Sequence, residues 1–362
     1  MRKNSNNETE LPLTISSKDG LVDQVTFFNK KVSSKDMSGY YLLKNGEFAY
    51  NKSYSNGYDF GSIKRLERYE MGALSTLYIC FSLKKHCSDY IKHYFDSLKW
   101  YRQIYIISAE GARNHGLLNV PTDDFFATIH FLSPDIEEQK KIADFLSLVD
   151  RRIEKQRQLV ESLKKYKRGY FQRIISSLET SSYELKNIVD EYNAKSKIQN
   201  ELPILSSTLS GIKLQNDYFN KQAASETTIG YKIVPFGYFT YRSMSDTGEF
   251  RFNLQNIIEK GIVSPAYPVF KVKEEYNAEF VEYILNETDK IKSQLLVKKE
   301  GGTRYALSFS KFQTLKIDLP TKSVQDKMVS QLRYANKILT NEEGVLSNLQ
   351  KLKNGLLQQM FI

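Results

Sequence analysis

Asp135, Glu137, Glu138 and Lys140 lie within six residues, and carboxylates beside a lysine are the residue types of a metal-dependent nuclease. Their placement argues against that chemistry. Pro134-Asp135 reads as a helix start, where acidic side chains serve the helix dipole, and Val324-Gln325-Asp326 stands at the matching place of a second copy of the same pattern. The four histidines, His86, His93, His115 and His130, are scattered. His86 and His93, seven apart on a candidate helix, come nearest to a metal pair, but zinc needs at least three protein ligands and no third stands close by. The sequence contains no GxxxxGK[ST], HExxH, CxxC or GxSxG, so no nucleotide hydrolysis, zinc peptidase or serine hydrolase chemistry is expected of this chain.

Recognition chemistry is better represented. Tyr50-Asn51-Lys52-Ser53-Tyr54 and Tyr241-Arg242-Ser243-Met244-Ser245 each set a basic side chain and hydroxyls among aromatics, a mixture suited to phosphate and base-edge contacts. The segments Glu110-Gly111-Ala112-Arg113-Asn114 and Gly301-Gly302-Thr303-Arg304-Tyr305 would let the backbone approach a phosphate while an arginine reaches it or a guanine edge. Nucleic-acid contact is therefore expected at Lys52, Ser53, Arg113, Asn114, Arg242, Ser243, Thr303, Arg304 and Tyr305. The plainer alternative makes Tyr-Arg-Ser a solvated strand end and Gly-Gly-Thr a tight turn.

These residues are carried by a chain of 362 residues, long enough for two or three compact units. With 52 Lys+Arg against 42 Asp+Glu its formal charge is +10, which permits a polyanionic partner. The apolar fraction of 41% and charged fraction of 26% are those of a globular protein. Cys80 and Cys87 are the only cysteines, so a disulfide framework is excluded. The first ten residues carry no apolar leader and no stretch approaches eighteen apolar residues, so a soluble, cytoplasmic protein is expected.

The chain repeats itself. Leu11-Pro12, Ile15-Ser16-Ser17 and Phe27-Phe28-Asn29-Lys30 are echoed by Leu202-Pro203, Leu205-Ser206-Ser207 and Tyr218-Phe219-Asn220-Lys221 at a near-constant offset of 191. Gly46-Glu47-Phe48-Ala49-Tyr50 is echoed by Gly237-Tyr238-Phe239-Thr240-Tyr241, and Gly111-Ala112-Arg113 by Gly302-Thr303-Arg304, at the same offset. Each copy has a mixed region and then a helical tail. In the mixed regions Ser75 to Phe81, Gln103 to Ile107, Val263 to Val272 and Leu315 to Leu319 read as strands, and Ser88 to Tyr101 and Ala278 to Leu296 as helices. The tails carry 4,3-spaced series. The first is Ile142, Leu146, Val149, Ile153, Gln156, Val160, Leu163, Lys167, Tyr170, Ile174; the second, at an offset of 186, is Met328, Leu332, Ala335, Leu339, Glu342, Leu346, Leu349, Lys353, Leu356, Met360. Matched polar interruptions predict that the two helices pair with each other, antiparallel, as rods on the order of 57 Å long.

The run from Leu132 to Ile153, opening Leu132-Ser133-Pro134-Asp135-Ile136-Glu137-Glu138-Gln139, closely resembles the central conserved region of the specificity subunits of type I restriction-modification enzymes. The likeness extends over nearly the whole chain, through the duplication, the order of domain then long helix, and the helix ends Gly169-Tyr170-Phe171-Gln172 and Gly355-Leu356-Leu357-Gln358. The resemblance implies an α+β protein with two pseudo-repeated α/β target recognition domains, 1–134 and 179–319, separated by two long helices, 135–178 and 320–362, paired as an antiparallel coiled coil. It implies a non-catalytic DNA-binding subunit, active in phage defence, that reads a bipartite site while the paired helices set the gap. Ile142, Leu146, Val149, Ile153, Val160, Leu163, Met328, Leu332, Leu339, Leu346, Leu349 and Leu356 would form the helix pair and its partner interface. Two methyltransferase subunits would dock there, and restriction subunits through them. S-adenosylmethionine, ATP and Mg would belong to those partners, with no cofactor or metal in this chain. One departure stands out: Ser182 to Val189 precede the second copy, and no such opening strand and turn precede Leu11. The alternative implied is a recombined form acting mainly as a coiled-coil scaffold with one working recognition domain.

Overall fold

A computed structural model describes every residue except 31, 109–117, 216–226, 299, 301–303 and 362. The chain forms two compact units, one made of Met1–Leu159 with Glu342–Ile362 and the other of Val160–Asn341. Each combines a mixed α+β body with parts of both long helices, Ile136–Ser177 and Lys322–Met360. None of the described helices is long and apolar enough to cross a membrane.

In the first unit, Pro12–Ser16 lies between Gly20–Asp23 and Met71–Leu74, with Tyr41–Lys44 completing a four-stranded sheet. Phe48–Asn51 is the middle of a second sheet, between Ser62–Arg65 and Ile79–Phe81. The apolar face of Ser88–Asp96 supplies Tyr90, Ile91, Tyr94 and Phe95 to a core that also takes in Trp100, Ala143, Leu146, Leu357 and Phe361. The first residues are built in as well. Arg2 pairs with Glu47 at 2.9 Å, and the amide of buried Asn4 donates to the carbonyl of Thr9 at 3.0 Å.

The second unit repeats this plan. Gly211–Leu214 pairs with Leu205–Thr208 as Gly20–Asp23 does with Pro12–Ser16, and Lys232–Pro235 pairs with Lys260–Val263 as Tyr41–Lys44 does with Met71–Leu74. Gly46 and Gly237 open the central strands of the two copies with φ of 84° and 81°, a left-handed conformation that favours glycine over any residue with a Cβ. The copies differ at one edge. Phe239–Thr240 sits in a four-stranded sheet whose outer strand is Val189–Glu191, antiparallel to Val269–Val272. Among the described residues Ile79–Phe81 has a strand neighbour on one side only. Ser181–Glu184 likewise pairs with Lys316–Leu319 in the second unit, whereas Ile129 and Phe131 of the first are 69% and 75% exposed.

A buried glutamine ties each helix start to its own body. The Nε2 of Gln139 donates to the Ser133 carbonyl at 2.6 Å and its Oε1 accepts from the Cys87 amide at 2.9 Å. Gln325 does the same between Pro320 and Asn277, both at 2.8 Å. Cys87 and Asn277 are the N-cap residues of Ser88–Asp96 and Ala278–Glu287, so each glutamine satisfies a backbone amide that its helix cannot. Gln139 is thus a structural clamp in the stretch that resembled a nuclease motif. Gln325→Ala leaves a buried amide and carbonyl without partners, and a loss of roughly 2–4 kcal/mol in the second unit is expected. Urea denaturation followed by Tyr fluorescence checks it; a loss no larger than that of an exposed Gln→Ala would refute the clamp.

The seam positions are buried or half-buried, with Tyr170 the exception, its place inside being taken by Phe171. Of the polar interruptions, Gln156 donates to the Glu342 carboxylate at 2.6 Å, within the first unit. Lys353 pairs with Asp150 at 2.6 Å there, and in the second unit Lys167 donates to Asn336 at 2.9 Å, which is the equivalent pair at an offset of 186. Within the first unit the two contacts run antiparallel, Gln156 meeting Glu342 and Asp150 meeting Lys353.

Four local expectations are corrected. Gln103 to Ile107 belongs to a helix, Tyr101–Ile107, because Ile104 is buried and Tyr101 and Ile107 pack against the same core while Tyr105 and Ile106 face outward, a helical period that its β-branched content concealed. The helix expected over Ser88 to Tyr101 stops at Asp96, since Leu98 takes a φ of 62° and Ser97 folds back onto Tyr94. Val263 to Val272 is two strands separated by a turn in which the Tyr267 amide donates to the Ser264 carbonyl, and Ala278 to Leu296 is two helices broken at Thr288.

Candidate nucleic-acid interface

In the second unit, Phe239–Thr240 ends in Tyr241, whose ring is buried and whose hydroxyl donates to the Leu307 carbonyl at 3.2 Å. That anchor delivers the next residue, Arg242, to the surface, where its guanidinium makes no hydrogen bond or ion pair among the described residues. Ser243 donates to the Ala266 carbonyl at 2.9 Å, and its own carbonyl accepts from the Leu307 amide at 2.8 Å. Met244–Ser245 then pairs antiparallel with Tyr305–Ala306, setting Ser245 opposite Tyr305. One residue beyond each, Asp246 takes the Nε of Arg304 at 2.7 Å. Arg242, Ser243, Arg304 and Tyr305 are therefore brought together, as their shared chemistry suggested.

Of these four, Arg242 lines an open groove of about 690 Å³, and Arg304 reaches it through Asp246. Arg242, Asp246 and Tyr267 line it, with the hydroxyls of Ser206, Thr208 and Ser210 along the strand pair that follows Leu205. The floor is fixed by hydrogen bonds: Asn253 donates to the Ser207 hydroxyl and to the Thr208 carbonyl, both at 2.8 Å, and Thr208 donates to the Gly211 carbonyl at 2.8 Å. The hydrogen bond and charge of Arg304, helped by the charge of Arg242, hold the Asp246 carboxyl below the usual range, so it is ionised at neutral pH. Hydroxyls that both donate and accept, beside an exposed arginine, can contact base edges and phosphates alike.

The first unit presents its counterparts differently. Tyr50 is buried with its hydroxyl on the Phe60 carbonyl at 2.8 Å, but Lys52 turns its amine toward the Val120 carbonyl at 3.5 Å, and the Ser53 amide donates to Asn51 at 3.0 Å. Both are half-buried. Arg113, Asn114 and Thr303 lie outside the described residues, as does His115. The histidine pair is divided: His86 accepts from Gln139 at 2.9 Å, whereas His93 meets Ser147 at 3.2 Å. Among the described residues no three His, Cys, Asp or Glu side chains gather to hold a metal.

The sequence reading missed Asp246 and the hydroxyl row. Ser206 stood inside the repeated Leu-Ser-Ser echo and could have been found there; nothing local marks Asp246, which acquires its setting from a strand sixty residues away.

Body and helix, each present twice in an α+β chain, define an architecture that solved structures share. No protein-family model matches the sequence, and no curated protein does. The chain is similar to a chain from work on the complex assembly and conformational transition of the type I R-M system, with a TM-score of 0.58 at 14% identity over 99% of this chain and 93% of that one. It is also similar to the HsdS subunit from Thermoanaerobacter tengcongensis (TM-score 0.45, 15% identity, 99% and 92% covered). A further likeness is to the type I restriction-modification S subunit from M. genitalium (TM-score 0.48, 13% identity, 92% and 87% covered). The α+β class implied by the sequence resemblance is the class found.

Proposed function

We propose that this chain is the DNA-recognition subunit of a type I restriction-modification complex, with no catalytic centre of its own. The observation that supports this most is the groove of the second unit, where Arg242, with no hydrogen bond or ion pair among the described residues, lies beside a row of hydroxyls. Each unit reads one half of a bipartite site, and the long helices set the gap and carry methyltransferase subunits, whose S-adenosylmethionine methylates adenine. Restriction subunits, with their ATP and Mg, join through them.

The test is co-expression with the genomically adjacent methyltransferase in a methylation-free host, followed by mapping of modified adenines. A bipartite motif with a fixed gap is expected. Inserting one heptad into both seams is expected to lengthen that gap and leave each half unchanged; altered halves with a fixed gap would refute the ruler. A second reading, one working reader on a scaffold, is favoured by Lys52, which is half-buried with its amine toward the Val120 carbonyl. It predicts a motif with only one half defined.

A further inference from the structure

The groove of the second unit carries an anion of its own. Asp246 lines it, takes the Nε of Arg304 at 2.7 Å, and lies within the electrostatic reach of Arg242. The two partners are held in place by backbone and not by each other, since the pairing of Ser245 with Tyr305 fixes the positions of the residues that follow and precede them. The ion pair itself is exposed, with side-chain accessibilities of 58% for Arg304 and 66% for Asp246, and an exposed pair of this kind contributes little to stability. Among the described residues only the Nε of Arg304 is engaged, so the forked face that binds phosphate bidentately is unused.

We propose that the Asp246 carboxylate stands in the free protein where a phosphate of the DNA backbone stands in the complex, and that Arg304 exchanges the one anion for the other on binding. The inference rests on reading the groove as a DNA interface. A diester phosphate offers Arg304 two oxygens and releases condensed counterions, which the carboxylate does not. Left without its arginine, Asp246 faces the incoming backbone as a like charge and weakens binding to any duplex that does not hold Arg304 firmly. The residue is thus a brake on non-specific binding, and it assigns Arg304 to phosphate, not to a base edge.

The experiment uses the full chain in complex with its co-expressed methyltransferase and a fluorescein-labelled random-sequence duplex, with anisotropy read at low and near-physiological salt. Asp246→Asn is expected to tighten binding by about threefold to tenfold at low salt, and by less as salt rises. Glu259→Gln, the same charge change at an exposed acid of the same unit outside the groove, is expected to tighten it by less than about twofold. Arg304→Ala is expected to cost more affinity in the Asp246→Asn background than in the wild type, because there the arginine no longer has a carboxylate to leave. Asp246→Asn matching Glu259→Gln would overturn the exchange and leave the groove's reading intact. Weaker binding by Asp246→Asn would also overturn it, showing that Asp246 positions Arg304 or contacts a base. Absence of salt-sensitive DNA binding by the wild-type complex would sink both.

Discussion

Replacing Leu357 and Phe361 together by alanine is expected to unfold the first unit while the second keeps its protection from hydrogen exchange. Both side chains are buried in the first unit's core, and the Phe361 ring lies 5.1 Å from Tyr90 and 5.7 Å from Tyr94. Next to Leu357, Gln358 donates to the Ser97 carbonyl at 2.8 Å, so the helix end is also held by a hydrogen bond to the turn after Ser88–Asp96. Truncating a buried leucine and a buried phenylalanine costs roughly 5–9 kcal/mol in sum, which matches the whole stability of many domains. Neither residue belongs to the core around Phe280 and Phe312. Exchange measured by mass spectrometry should therefore show peptides over 88–107 losing protection and those over 269–319 keeping it. Equal loss in both, or none in either, would contradict this division of the cores.

Arg242→Ala is expected to weaken DNA binding by the assembled complex by about 1–3 kcal/mol, roughly 5-fold to 150-fold in affinity. The side chain has no partner among the described residues whose loss would disturb the fold, and the strand before it stays anchored through Tyr241 on the Leu307 carbonyl. An unchanged thermal midpoint should accompany the loss. The pattern of loss distinguishes two roles. If Arg242 meets a phosphate, the slope of log affinity against log salt falls by about one and the methylated motif is unchanged. If it meets a base edge, the motif relaxes at one position. Unchanged affinity together with an unchanged motif would remove Arg242 from the interface.

The duplication was legible because it is written in residues that backbone geometry requires. Gly46 and Gly237 open matched strands with positive φ, and Tyr50 and Tyr241 after them are both buried. The tails were legible because a 4,3 period survives polar interruptions, and those interruptions proved to be hydrogen-bonding residues, Gln156 with Glu342 and Lys167 with Asn336. Short elements were harder. Gln103 to Ile107 has strand composition and helical geometry, and five residues are too few for periodicity to outweigh composition. In the candidate site, Arg242 was visible as a base among aromatics. The groove around it was not, since Ser206 and Ser210, Asp246 and Tyr267 come from separate segments whose meeting depends on long-range pairing that no local pattern records. Gln139 had no role in the sequence reading, and only the fold shows that it turns inward to Cys87 and Ser133.

The division of the chain also sets an order of events during synthesis. The second unit is one continuous stretch, Val160–Asn341, and can close as soon as that stretch has left the ribosome. The first unit, although its body precedes the second in the chain, lacks Leu357 and Phe361 until they too are translated. Its aromatic cluster waits, incompletely covered, while about two hundred residues are added after Leu159. Of the two units the one begun first is therefore completed second, and it is the one a nascent-chain chaperone would be needed to shield.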